Sequence, residues 1–162
     1  MAATHHFSES NGVGEVVTDD IANLNFGSND SYELSTSVYP VVAGQNSFTK
    51  YLRCKFTGLW TDITNMKFWK SVGDYGAGED IHATANAAYA TPSQSDMGGS
   101  SIPTTEGTAL AIDSAESANH IEYGVSGVSG YTDYIKLQLQ TTGATPAGAV
   151  EQKTFTMQYD EV

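Results

Sequence analysis

A chain of 162 residues with 40% apolar and 16% charged residues is long enough for one core and too apolar for a disordered segment. Nineteen acidic against seven basic residues give a formal net charge of −12, which repels phosphate backbones and anionic lipid and so excludes nucleic acid and membrane as expected partners. The single cysteine, Cys54, excludes an intramolecular disulfide, and no run approaches the ~20 apolar residues of a membrane-spanning helix.

Along the chain, residues 1–13 are polar and aperiodic and predict a flexible arm ahead of a single β-sandwich domain over residues 14–162. The start has no basic segment followed by an apolar run, which predicts folding in a cytoplasm without a secretory leader. Short strands are expected at 14–18 and 23–26 around the turn Asp19-Asp20, then at 32–36 and 38–42, where Pro40 implies an edge strand or a bend.

Residues 50–69 carry the clearest pattern. Leu52, Cys54 and Phe56 alternate with Arg53, Lys55 and Thr57; Met66 and Phe68 alternate with Lys67 and Trp69. Alternation of this kind predicts two half-buried strands, read here as a hairpin closed by a short polar turn. A glycine-rich loop, 71–80, leads to a strand over 81–89 with Ile81, Ala83 and Ala85 on one side and His82 and Thr84 on the other. A long polar loop spans 91–107 and a short strand 108–112; residues 115–120 read as one helical turn or a loop. Two further strands are expected. Residues 131–140 place Ile135, Leu137 and Leu139 together, and residues 150–159 place Phe155, Met157 and Tyr159 together. About 8–10 antiparallel strands with little or no helix predict an all-β fold, a β-sandwich or jelly roll.

No reaction is spelled out. Cys54 lies on the apolar side of its strand and reads as a small core residue. The loop SVGDYGAGED has no Gly-Lys-Ser/Thr and no following helix, so it is not a phosphate loop. Its Asp74, Glu79 and Asp80 are candidate calcium ligands, set against solvated acidic turns; EF-hand spacing is absent. His5-His6 lacks a third ligand at transition-metal spacing, and His82 and His120 read as a strand-surface and a loop residue. No nucleophile elbow occurs, and no motif specifies a carboxylate pair for glycoside hydrolysis. The expectation is a non-enzyme without a cofactor.

Two patterns point to binding. Trp60, Trp69, Tyr75, Tyr89 and Tyr131 sit at strand ends or in loops, where rings close a sandwich or stack on sugars. They support a carbohydrate-binding adhesion module, calcium-dependent in one version, as the alternative function. The cations are also clustered: five of seven fall between Lys50 and Lys70, and none lies in 1–49 or 71–135. Arg53, Lys55, Lys67 and Lys136 are expected on outward strand faces. With Trp60 and Trp69 they form a candidate interface, a cationic strip that meets acidic loops of a second copy, set against lysines that only protect sheet edges.

The segment NSFTKYLRCKFTGLWTDITNMKFWKS, the YATP at 89–92, the run YTDYIKLQLQ and the ending FTMQYDEV together resemble small structural proteins of tailed viruses of bacteria and archaea. The resemblance covers about residues 46–162 and is a pattern of strands and short motifs. It implies a β-sandwich virion component, a capsid decoration or head–tail protein assembled in the host cytoplasm. Its implied partners are copies of itself, as trimers or larger rings, and a major capsid or other virion protein. It carries over no functional residues.

Overall fold

The computed structural model describes residues 3–112, 120–122, 130–148 and 151–162. Among these residues ten strands form: β1 (Thr4–Asn11), β2 (Val16–Thr18), β3 (Lys50–Thr57), β4 (Asp62–Val72), β5 (Glu79–Asn86), β6 (Ser100–Ser101), β7 (Leu110–Ala111), β8 (His120–Glu122), β9 (Tyr134–Thr141) and β10 (Thr154–Glu161). Among the described residues, helix is limited to one 3-10 turn, Glu106–Thr108. The strands pair antiparallel in two sheets. A six-stranded sheet has the order β2-β1-β3-β9-β5-β6; a four-stranded sheet has β10-β4-β7, with β8 also on β4. The all-β expectation is met, and the two sheets are consistent with a β-sandwich.

Alternation explains which side of each strand is buried. In the six-stranded sheet Cys54 lies opposite Phe7, Leu52 opposite Ile135, Ala83 opposite Leu137 and Ile81 opposite Leu139. Residues opposite one another in an antiparallel pair share a face, so these side chains make one apolar layer. The four-stranded sheet meets it with Ile63, Met66 and Phe68 of β4 and the half-buried Phe155, Met157 and Tyr159 of β10. Burying each large side chain stabilises the fold by about 1.5–3 kcal/mol.

The pattern on β4 contains one step that simple alternation does not predict. Ile63 and Met66 both point inward although an odd number of positions separates them. The extra residue is Asn65, at φ 51°, and the register to β10 shifts between Gln158 and Asp160. This is a β-bulge with a left-handed residue, a place where asparagine is tolerated better than most side chains. Asn65 also donates from its amide to the Asp160 carboxylate.

Three expectations are corrected. The strands within residues 50–69 form, but they are not a hairpin: β3 belongs to the six-stranded sheet and β4 to the other. Residues 58–61 carry the chain across the core, because β3 is already flanked by β1 and β9. The expected flexible arm is mostly β1, which pairs with β3 over seven positions from Thr4 opposite Thr57 to Ser10 opposite Tyr51. Its inward side chains Glu9 and Asn11 are polar, which removes the apolar period. The strands expected at 23–26, 32–36 and 38–42 do not form. That segment runs as turns that lay Ile21, Leu24, Phe26 and Val41 on the core one at a time and bury Leu34 against Gly27.

The other expected strands appear as β2, β5, β7, β9 and β10, with ends shifted by a few residues. The long loop 91–107 holds the two-residue β6. The helical turn expected at 115–120 lies mostly outside the described residues, apart from His120 at the start of β8.

Candidate functional site

The outer face of the six-stranded sheet is built by the residues that alternate with the core. On β3 these are Tyr51, Arg53 and Lys55; on β9, Tyr134 and Lys136, with Tyr51 directly opposite Lys136. Tyr51 is only 2% exposed and Tyr134 5%, so this face carries a covered layer of its own. Tyr89, from the loop after β5, completes it. The Tyr51, Tyr89 and Tyr134 ring centroids are 5.0, 5.9 and 6.0 Å apart, within the range where aromatic pairs attract. The Tyr89 hydroxyl donates to the Gly12 carbonyl at 2.7 Å. Burial first, and Asp30 and Glu15 after it, raise the Tyr89 hydroxyl above its ordinary value.

The cations of this face are fixed by the same rings. The Arg53 guanidinium lies 4.5 Å from the centre of the Tyr134 ring and 4.9 Å from that of Tyr131, and its Nε donates to the Thr132 carbonyl at 2.8 Å. Lys55 Nζ sits 5.1 Å from the Tyr131 ring centre and 3.2 Å from Asp19. The Tyr131 hydroxyl first, and then Asp19, raise its ammonium above the ordinary value. Lys136 Nζ is 5.8 Å from the Tyr51 ring centre. Contacts of this kind contribute about 0.5–2 kcal/mol each, more where water is excluded.

Beside Arg53 the β1–β2 turn opens a recess of about 290 Å³ between Gly14, Glu15 and Val17 on one side and Arg53, Tyr131 and Tyr134 on the other, with Ser8 as its floor. Gly14 has φ 93° and Glu15 has φ 58°. Glu15 is held by its side chain: Ser10 Oγ donates to Oε1 at 2.9 Å, and the Tyr134 hydroxyl donates to the same oxygen. Burial, with this bond next, pushes the Tyr134 hydroxyl up to about 12.

Of the expected interface residues, Arg53, Lys55 and Lys136 come together on this face. Lys67 does not: it lies on β4, in the other sheet, 3.7 Å from Glu106. Trp69 is on β4 as well, opposite Thr156 of β10. Trp60, in the crossing between the sheets, packs 6.3 Å from Phe56, and its indole N–H donates to the Ile121 carbonyl at 3.3 Å. It packs against the core and is half-buried. Gly130 lies beneath it: a Cβ there would stand 2.8 Å from the Phe56 carbonyl oxygen, at a φ of 74°.

The three expected calcium ligands do not form one set: Asp74 and Glu79 line a shared recess with Glu151, and Asp80 does not. Glu79 and Asp80 are successive residues of β5 and point to opposite faces. Glu79 is buried, accepts from the Gly76 N–H at 2.8 Å and lies 3.6 Å from Lys153 Nζ. Asp80 accepts from Ser101 and lies 3.4 Å from His82. Among the described residues, no three His, Cys, Asp or Glu side chains gather as metal ligands. His5 and His6 likewise alternate on β1, and His5 packs 5.4 Å from Tyr159. Cys54 is fully buried, and burial pushes its thiol up to about 12, so it is no nucleophile.

Sequence reasoning missed a buried ion pair. Lys50 Nζ lies 2.7 Å from Glu9 Oε1, with side chains 0% and 1% exposed. Lys50 also donates to the Ser31 carbonyl at 3.0 Å. Asn11 donates to Glu9 at 2.8 Å and to Asp30 at 2.8 Å, and the Gly12 N–H donates to Asp30. The network ties the turn 28–31 to the sheet. A signal was present in the parity of Lys50, which matches Leu52, Cys54 and Phe56. Glu15, Tyr51 and Tyr134 were also missed as site residues, because outward positions on a strand read as solvated.

Comparison with protein-family models, with curated proteins and with solved structures finds no match to this chain.

Proposed function

We propose that this chain is a non-enzymatic structural protein of a virus particle, one that associates with copies of itself and decorates or stabilises the capsid. Its partners are a second copy and a major capsid or other virion protein, met after assembly in the host cytoplasm. The observation that carries this reading is the edge strand β10. Among the described residues, its main chain is bonded only to β4. Thr154–Glu161 holds no proline and no lysine, the usual protections of an exposed edge. Trp69 and Lys67 lie beside it on the outward side of the small sheet, opposite Thr156 and Gln158.

This reading favours the four-stranded sheet as the contact surface over the cationic strip expected from sequence. Arg53, Lys55 and Lys136 already face tyrosine rings and Asp19, so a partner's acidic loops gain less from them. A two-fold axis through Met157 sets Phe155 opposite Tyr159 and Thr156 opposite Gln158 of the second copy, an arrangement that repeats itself on both sides and closes the edge.

Light scattering on the purified chain tests this. The expected result is an oligomer that Thr156→Lys with Gln158→Lys converts to a folded monomer, by placing like charges opposite one another. The reversal of Arg53 and Lys55 to Glu is expected to leave it assembled. A chain that is monomeric at high concentration and does not bind capsid shells overturns the reading.

A further inference from the structure

We propose that the recess beside Arg53 is a binding site for one neutral sugar ring of a glycan. Its polar groups are fixed before any ligand arrives. Arg53 is held by the Thr132 carbonyl and by two tyrosine rings. Tyr134 is 5% exposed and Ser8 1%. Preformed walls remove much of the ordering cost of binding.

Charge selects the ligand class. The two walls carry opposite signs, Arg53 on one and Glu15 on the other, and they do not form an ion pair among the described contacts. An anionic ligand meets the Glu15 carboxylate and a cationic one meets the Arg53 guanidinium. A neutral ligand whose groups both donate and accept satisfies both. Vicinal hydroxyls do this: one accepts from Arg53 while its neighbour donates to Glu15. Both bonds that Glu15 receives fall on Oε1, which leaves Oε2 for the incoming hydroxyl. Val17 offers apolar surface to the C–H groups of a pyranose.

Two further observations agree. The volume, about 290 Å³, stands at the lower end of small-molecule pockets, which fits one ring and not a multi-unit groove. Glu15 occupies the left-handed region at φ 58°, a conformation that costs a non-glycine residue about 1–2 kcal/mol and that clusters where function holds it in place.

The test is a titration of the intact chain with neutral methyl hexopyranosides, followed in amide nitrogen–proton correlation spectra. The expected result is saturable binding with a Kd on the order of millimolar, with shifts confined to Gly14, Glu15, Val17, Arg53 and Tyr131. Glu15→Gln is expected to weaken it about ten-fold, the loss of a charge-assisted hydrogen bond. Glu106→Gln, on the exposed 3-10 turn, is expected to change nothing. No shifts with any neutral pyranoside overturns the proposal on the wild-type chain alone, whatever the stability of the variants. So does response only to sialylated or phosphorylated sugars. Response at the same amides to N-acetylglutamine amide but to no sugar overturns it in favour of a peptide side chain. Light scattering on the same samples reports assembly separately, so failure of this site and failure of the assembly reading are distinct results.

Discussion

The six-stranded sheet holds a cation on each of its faces by different means. On the inner face, Lys50 is fully enclosed and meets a carboxylate, Glu9, at 2.7 Å. On the outer face, Arg53 lies between the rings of Tyr131 and Tyr134 and meets no carboxylate among the described contacts. The contrast follows from water. A fully buried ammonium loses its hydration and needs a counter-charge with hydrogen bonds. A guanidinium is weakly hydrated and planar, so rings, one carbonyl and one hydroxyl suffice where part of it still meets solvent.

The largest test of this contrast is Lys50→Met. It leaves Glu9 buried without its partner, and the expected cost is about 3–5 kcal/mol in chemical denaturation. The double change Lys50→Met with Glu9→Leu is expected to recover most of that loss. A double variant no better than the single one would mean that Asn11 and Asp30, and not the ion pair, dominate the network. Next, Arg53→Met on the outer face is expected to cost about 1–2 kcal/mol, because ring contacts, the hydrogen bond to the Thr132 carbonyl and a long one to the Tyr134 hydroxyl are lost. A loss equal to that of Lys50→Met would erase the distinction between the faces. Tyr134→Phe is smaller still, about 1 kcal/mol, from the bond to Glu15.

Alkaline pH offers a further test of the outer face. The Tyr134 hydroxyl stands at about 12 in the folded chain against 10.0 for the free side chain, through burial and then Glu15. The folded state therefore binds this proton more tightly than the unfolded state. Its contribution to stability is complete below pH 10 and falls as pH rises through about 12. Tyrosinate absorbance is expected to show late-titrating tyrosines, with one fewer in Tyr134→Phe. Titration of all tyrosines near 10 would contradict a covered aromatic layer.

Strands whose inner side is apolar were legible in the sequence: Leu52, Cys54 and Phe56, then Met66 and Phe68, then Ile135, Leu137 and Leu139 declare their buried face by period two. β1 was not legible, since only Phe7 among its inward side chains is clearly apolar, and Glu9 is buried through a charge far away in sequence. Nor was the partner of each strand: alternation fixes a face but says nothing about a neighbour. That is why residues 50–69 read as a hairpin. The candidate site was half legible. The parity of Arg53, Lys55 and Lys136 put them on outward faces, whereas Tyr51 and Tyr134 share that parity yet are covered by the loop that brings in Tyr89. The covering loop comes from distant sequence, so no local signal announces it.

The crossing from β3 to β4 has a kinetic side. Because those strands separate into different sheets, Leu52 must find Ile135 and Phe68 must find Met157 before either sheet exists. Among the described residues, only the short β1–β2 and β5–β6 pairs join consecutive strands. Closing such long loops costs chain entropy before any contact repays it. Refolding is thus expected in milliseconds to seconds, the range of non-local all-β topologies. During that interval β10 has no template until β4 is in place, which leaves its edge open to pairing between copies as the chain folds.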